Sequence, residues 1–498
     1  MSKLRNFIIN GAYVGAMNLV SRASGLLLNV ILVRMLTVDS FGLFALFQRI
    51  MEKVSMMIRF GGFETSTHVL LASSQEKDIK AAPSLFSVPL AIRIIFCLIF
   101  AILFLSFPTY IATNILKQSA LIPYMNFFVF ACIAAALEVL CDGVLKGLNL
   151  FKILSRINIT FALILLLIMP LMTYYFSLTG AIFAFTICLV SRSSAVITIA
   201  LIQSIKSGYT FSLQNFYRVL LMHIKIGFPS WLPVLIIAPA GIYVISLLTA
   251  VAGIDDMAYY RVIVTCGVFI QLIPHSLLPS FITESANESN EEESARFFYL
   301  NFKLTIITSV LIGILFLGIM PLFISIVFGS AFTLAVKFFL IYIFTMIVVN
   351  CTNVFSSFLI AKKYGNAMLF GNTAHGIFLA AVGTYVIPLY GLPGFLAAEL
   401  AAWFGALIIY IIFFSYKIQS ADSIIHLLIR MTPFVALFIL ITIALNTIQP
   451  VFLRFSASII GSIFLGWLFW KTVLLRDEKK LFIDNLKQLS IYKKLKLT

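Results

Sequence analysis

The sequence predicts an all-α, polytopic membrane protein of about 14 transmembrane helices, arranged as two parallel six-helix repeats plus a C-terminal helix pair. Three observations predict it. Apolar residues come in blocks of about 20, charged residues are scarce, and basic residues collect in alternate loops. Only 11% of the 498 residues are charged and 61% are hydrophobic, with a mean hydropathy of +1.07. An average soluble domain carries about 25% charged residues, so this chain cannot cover a water-exposed surface.

At about 1.5 Å per residue, some 20 helical residues cross a hydrocarbon core of about 30 Å. The blocks of that length are 9–33, 41–63, 85–107, 120–140, 157–176 and 179–202. After a polar stretch come 224–251, 258–281, 300–324, 335–359, 368–387 and 392–414. Two more, 431–444 and 456–473, precede a basic tail. The second block carries several charges and the thirteenth is short, so twelve spans plus a separate pair is an equivalent reading. The expected organisation is a first half over 1–203, a cytoplasmic linker over 204–223 and a second half over 224–416. An extra helix pair over 417–475 and a basic cytoplasmic tail over 476–498 complete it.

The net charge of +16 is unevenly spread. With the N-terminus inside, the inner loops hold Lys77, Lys80, Lys152, Arg156, Lys362 and Lys363 among others, and the tail is basic from Lys471 to Lys496. The outer loops receive only Arg34, Lys117, Lys337 and Arg454. This bias sets both termini in the cytoplasm and accounts for the basic balance without nucleic acid. The first block lacks a small-residue cleavage pattern and reads as a retained span. Cys97, Cys132, Cys141, Cys188, Cys266 and Cys351 show no metal-type spacing and read as buried apolar thiols.

A repeat relates the two halves. Leu145-Lys146-Gly147, Asn158 and Gly180 line up with Leu359-Ile360-Ala361, Asn372 and Gly394, each pair 214 positions apart (145 to 359, 158 to 372, 180 to 394). Asp39-Ser40-Phe41-Gly42 lies opposite Asp256-Met257-Ala258-Tyr259. An even number of spans per half gives parallel repeats, with a substrate path at their interface in transporters of this architecture.

The informative residues are the charges inside the blocks: Arg22, Arg49, Lys53, Arg59, Arg93, Arg192 and Arg261, with Glu52, Glu64, Glu138 and Glu399. Facing lipid, each would cost several kcal/mol, so they are expected to face the bundle interior or a wet cavity. In the second block Arg49, Glu52, Lys53, Arg59 and Glu64 fall on about half of one helix circumference, opposite Phe47, Ile50, Val54, Met57 and Ile58. Internal pairing of Arg49 or Lys53 with Glu52 is the alternative for that face, and snorkelling to the membrane surface the alternative for Arg93. Arg22 and Arg192 lie mid-span beside serines and are expected in a cavity. Arg22, Arg49, Lys53, Arg59, Arg192 and Arg261 form the candidate cationic cavity, which suits phosphate or another anion. Glu64, Glu138 and Glu399 are candidate coupling-ion or structural acids. Pro229, Pro233, Pro239 and Gly241 predict a bent seventh span, and Pro274 and Pro279 a bent eighth. His275 and His375 read as hydrogen-bonded structural histidines, and Glu291-Glu292-Glu293 as a solvated loop. No metal site, phosphate loop or nucleophile elbow is found in the sequence.

Ser21-Arg22-x-x-Gly25 and Asp39-Ser40-Phe41-Gly42-Leu43-Phe44 resemble the polysaccharide biosynthesis, or Wzx-type O-antigen flippase, branch of the multidrug/oligosaccharidyl-lipid/polysaccharide (MOP) exporter superfamily. Phe328-Gly329-Ser330-Ala331-Phe332 and Leu359-Ile360-Ala361-Lys362-Lys363 resemble that family's Phe-Gly and Ala-x-Lys segments. The resemblance implies a non-enzymatic flippase in the bacterial inner membrane that moves an undecaprenyl-pyrophosphate-linked oligosaccharide. It also implies glycan polymerase and chain-length machinery as partners beside the lipid bilayer, and no cofactor, with Na+ or H+ coupling left open. Arg22 aligns with a cavity arginine of related lipid II flippases, whereas Leu28 and Asn29 replace a charged pair found there. Export of cationic drugs is the second reading, disfavoured by the excess of arginines. A membrane glycan polymerase is the third, disfavoured by short, weakly charged outer loops.

Overall fold

The computed structural model describes residues 2–76, 83–209, 211–287, 291–362, 364–418, 421–448, 450–474 and 479. The described residues are helical throughout, with no strand among them. In chain order, α1 spans Ser2–Met35, α2 Val38–Ile58, α3 Phe63–Glu76, α4 Ser87–Ser106, α5 Pro108–Tyr110, α6 Met125–Gly147, α7 Phe151–Lys206, α8 Phe216–Trp231 and α9 Val234–Ala252. Then come α10 Asp255–Asn287, α11 Glu291–Val327, α12 Leu334–Ala361, α13 Gly365–Tyr390, α14 Leu392–Ile418, α15 Ala421–Thr447 and α16 Val451–Thr472. The tail beyond residue 474, Lys479 excepted, and the loop carrying Lys77 and Lys80 lie outside the described residues.

Among the described residues, 11 helical stretches are long and apolar enough to cross a membrane. One of them, α7, covers two expected spans and breaks at Ser177. Helix α2 falls outside that set because it carries Asp39, Arg49, Glu52 and Lys53, and the Met431–Leu445 stretch because it is short. Both correspond to expected spans. The chain is a polytopic, all-helical membrane protein.

The second expected span is shorter than its apolar block. Helix α2 starts at Thr37, whose hydroxyl accepts from the Ser40 amide at 3.3 Å, with Asp39 in the first turn, both favourable at a helix N-terminus. It stops at Ile58 because Gly61 and Gly62 take φ of 76° and 60°, a conformation that suits glycine. The chain restarts as α3 at Phe63. Glu64 therefore sits on a different helix and leaves the charged face of α2. The opposite face is packed, with Phe47, Ile50, Val54 and Ile58 all buried.

Two units are defined by contacts. The first holds residues 1–265, 327–331 and 372–402; the second holds 266–326, 332–371 and 403–498. In the first, α3, α4, α6 and α7 enclose a core around Phe63, Val88, Leu140, Val144 and Val196. The expected linker is largely helical there, since α7 runs to Lys206 and α8 starts at Phe216. His223 on α8 is buried, its Nε2 donating to the Leu85 carbonyl at 3.0 Å and its Nδ1 facing the Ser66 hydroxyl at 2.7 Å. The seventh expected span is interrupted at Leu232-Pro233, between α8 and α9, where the backbone keeps right-handed helical dihedrals. In the second unit, α16 meets α11 where Gly318 lies against Ser458, and α15 where Gly461 faces Ile441.

Two turns 214 positions apart close in the same way. Ser177 and Gly391 both have positive φ, 52° and 60°. Three residues on, a Cβ at Gly180 would strike the Met172 carbonyl oxygen, and one at Gly394 the Val386 carbonyl oxygen. The repeat read from sequence thus recurs as matched backbone geometry. Gly180→Ala and Gly394→Ala should each cost about 1–3 kcal/mol through overpacking against rigid backbone. Gly15→Ala, with open space around it, should not lower stability. Thermal unfolding in detergent checks this, and equal melting temperatures for all three variants would refute the paired turns.

Candidate functional site

The charged face of α2 organises the first unit. Arg49 donates from Nη1 to Glu52 Oε2 at 3.2 Å and from Nη2 to the Tyr260 hydroxyl at 3.2 Å. The same Nη2 lies 3.5 Å from Glu399 Oε1, to which the Tyr260 hydroxyl donates at 2.9 Å. One arginine of α2 thus holds a tyrosine of α10 and a carboxylate of α14. Of the two pairings open for this face, Arg49 with Glu52 forms. Among the described residues Lys53 makes no ion pair; it lies along Gly241 of α9, where a Cβ would come within 3.0 Å of the lysine Cε. Gly241 therefore makes room for a lysine.

Arg261, one residue after Tyr260, donates from Nε to Asn29 Oδ1 at 3.3 Å. Asn29 in turn donates to Thr265 Oγ1 at 3.1 Å, and Thr265 to the Arg261 carbonyl at 2.8 Å. Of Leu28 and Asn29, the two departures from the lipid II flippase pattern, Asn29 thus positions this guanidinium. Its partner is a neutral amide, so the arginine's charge is not cancelled.

A second group lies wholly within residues 21–192. Helices α1, α2, α6 and both arms of α7 surround a cavity of about 320 Å³ lined by Arg59, Arg192, Glu52, Ser24 and Asn158 among others. Arg192 pairs with Glu138 Oε1 at 2.7 Å, and Ser193 donates to Glu138 Oε2 at 2.8 Å. Among the described residues Arg59 reaches only Ser55 Oγ, at 3.4 Å. Arg22, expected in the cavity, is not among its lining residues. Positions 21, 24, 25 and 28 share one face of α1, and residue 22 is turned about 100° away from 21. It shares instead the Asn29 face, two turns along.

The remaining acid, Glu64, pairs with Arg93 at 2.9 Å, and Arg93 also donates to the Ala136 carbonyl at 2.8 Å. Arg93 is 0% exposed, so it is a buried partner and does not snorkel. All three candidate coupling or structural acids are thus held by arginines, Glu399 also by a tyrosine. No cluster of three or more His, Cys, Asp or Glu side chains able to hold a metal occurs among the described residues. The six cysteines are free and buried. The side chains of Glu291-Glu292-Glu293 lie outside those described. Sequence reasoning missed Tyr260, Thr265 and Ser193. Each directly neighbours, or sits one helical turn from, a charge that was singled out.

Matched by sequence, the chain fits no protein-family model and no curated protein. By structure it is similar to a lipid II flippase MurJ in an inward closed conformation, with a TM-score of 0.67 at 16% identity over 91% of this chain and 98% of that one. It is similar to an inward-facing multidrug resistance MATE family transporter, with a TM-score of 0.64 at 14% identity over 82% and 99%. The fold is the MATE and MurJ fold. A MOP superfamily transporter from Pyrococcus furiosus, described by the reverse polarity of its binding pocket, matches at a TM-score of 0.60 and 14% identity over 84% and 96%.

The pairings predict which arginines carry stability. Arg93→Ala strands the Glu64 carboxylate and the Ala136 carbonyl and should cost about 3–5 kcal/mol. Arg59→Ala strands no carboxylate and should cost no more than about 1 kcal/mol. Unfolding of the detergent-solubilised variants measures both, and the reverse order would show the pairings to be wrong.

Proposed function

We propose that the chain is a flippase carrying an undecaprenyl-pyrophosphate-linked oligosaccharide from the inner to the outer leaflet of a bacterial cytoplasmic membrane by alternating access. One observation carries the reading. In the first unit Glu52, Glu64, Glu138 and Glu399 are all held by arginines, while Arg22, Lys53, Arg59 and Arg261 have no carboxylate partner among the described residues. Uncompensated cations in a membrane interior are expensive and mark a substrate or ion path. Their natural complement is a phosphorylated headgroup, bound through charge-assisted hydrogen bonds that a low dielectric strengthens.

Proteins of this fold include a lipid II flippase and a multidrug transporter, which supports transport over polymerisation. A cationic drug would be repelled by the four uncompensated cations. A peptidoglycan precursor is disfavoured by the neutral Asn29 beside Arg261. In the proposed orientation both termini are cytoplasmic, following the positive-inside bias.

Deleting the gene should remove one surface polysaccharide and leave cells viable, whereas lysis would point to a peptidoglycan precursor. Lys53→Ala and Arg261→Ala, which strand no carboxylate, should each cut surface-glycan export at least tenfold at unchanged protein level, about the loss of one charge-assisted contact. Arg261→Lys should keep part of the activity. Full export in both alanine variants, measured on whole cells, would remove them from the path.

A further inference from the structure

The cavity inside residues 21–192 is the wrong size and the wrong chemistry for a whole lipid-linked oligosaccharide. At about 320 Å³ it stands at the small end of ligand pockets, which run from about 300 to 1,000 Å³. One sugar ring fits, and a repeat unit with its lipid does not. A bare phosphate would leave its apolar walls unused, and a lipid tail would bury its arginines against hydrocarbon.

Besides Glu52, whose carboxylate is held by Arg49, its walls combine three kinds of group. Arg59 and Arg192 both face in, and the Nε of each is buried without a hydrogen-bond partner. Ser24 is 5% exposed, opens on the cavity and makes no hydrogen bond among the described residues. Asn158 donates its amide to the Leu154 carbonyl at 3.0 Å, which leaves its oxygen to accept. Phe185 supplies a rigid ring, held edge-on by Phe44 at 6.0 Å and by Phe47 at 6.4 Å between centroids.

We infer that this cavity is a subsite for one acidic sugar, a pyranose ring bearing a carboxylate, within the glycan that the proposed flippase carries. The inference rests on that proposed function for its source of ligand. Arginine matches a carboxylate through its planar fork. Hydroxyl and amide groups match the ring hydroxyls, and an aromatic face matches the apolar face of a pyranose. Glu138, already bound to Arg192 and Ser193, fixes the orientation of that guanidinium, whereas Arg59 is left to take the ligand's charge.

The test is saturation-transfer NMR on the detergent-purified full chain with methyl glucuronide, methyl glucoside and inorganic pyrophosphate. Glucuronide should bind at millimolar affinity and glucoside at least tenfold more weakly. Arg59→Ala should weaken glucuronide at least tenfold with an unchanged melting temperature, and Ala162→Phe, which fills the cavity, should abolish its signal. Equal binding of the two glycosides, no binding of either, or pyrophosphate binding tighter than glucuronide and indifferent to Phe185→Ala would each overturn the inference. Deletion of the gene separates the two ideas. Loss of a surface glycan without glucuronide binding leaves the flippase standing and removes the subsite. Glucuronide binding with every surface glycan intact does the opposite.

Discussion

A charge cannot rest in hydrocarbon without a partner or water, and in the first unit that constraint settles where α2 goes. A helix carrying Arg49, Glu52 and Lys53 on one side can cross a bilayer only with that side turned inward. Its other side is consequently packed through Phe47, Ile50, Val54 and Ile58. With α2 fixed, Arg49 reaches Tyr260 of α10 and Glu399 of α14, and Arg59 joins Arg192 around the inner cavity. Gly241 lacks a side chain where Lys53 must pass. Most of the candidate site is what one polar helix face imposes on its neighbours.

The repeat shows how the two halves diverged in chemistry while keeping backbone geometry. Position 185 in the first half corresponds to 399 in the second. Phe185 packs on Phe44 and Phe47 of α2, and Glu399 pairs with Arg49 of the same helix. One helix therefore receives an aromatic ring from one repeat and a carboxylate from the other. The ring brings no charge to the first-half cavity, and the carboxylate pairs with Arg49.

The membrane class and nearly every span were legible in the sequence, because block length and charge scarcity are direct consequences of hydrocarbon thickness. The charged candidates inside the blocks were legible too. Composition could not pair them, since Arg93 with Glu64 and Arg49 with Glu399 join residues 29 and 350 positions apart. The end of α2 was misread because apolar residues continue past Ile58, while the stop is set by the backbone of Gly61 and Gly62. Flanking serines show that the helix face near Arg22 is polar, but a rotation of one residue decides which side chains line the inner cavity, and Arg22 is not among them. Asn29 stood out only as a departure from a pattern, and its role became visible once Arg261 and Thr265 were beside it.

The twin turns at Ser177 and Gly391 also constrain how the chain enters the bilayer during synthesis. One residue of extended backbone spans about 3.5 Å, against a hydrocarbon thickness of about 30 Å. A helix leaving such a turn cannot wait in water on one side while its neighbour crosses to the other. The arms of α7, and likewise α13 and α14, must insert together as hairpins, each committed as soon as its turn is made. The close approach of Gly180 to Met172 and of Gly394 to Val386 is then a contact inside each hairpin that calls on no other helix.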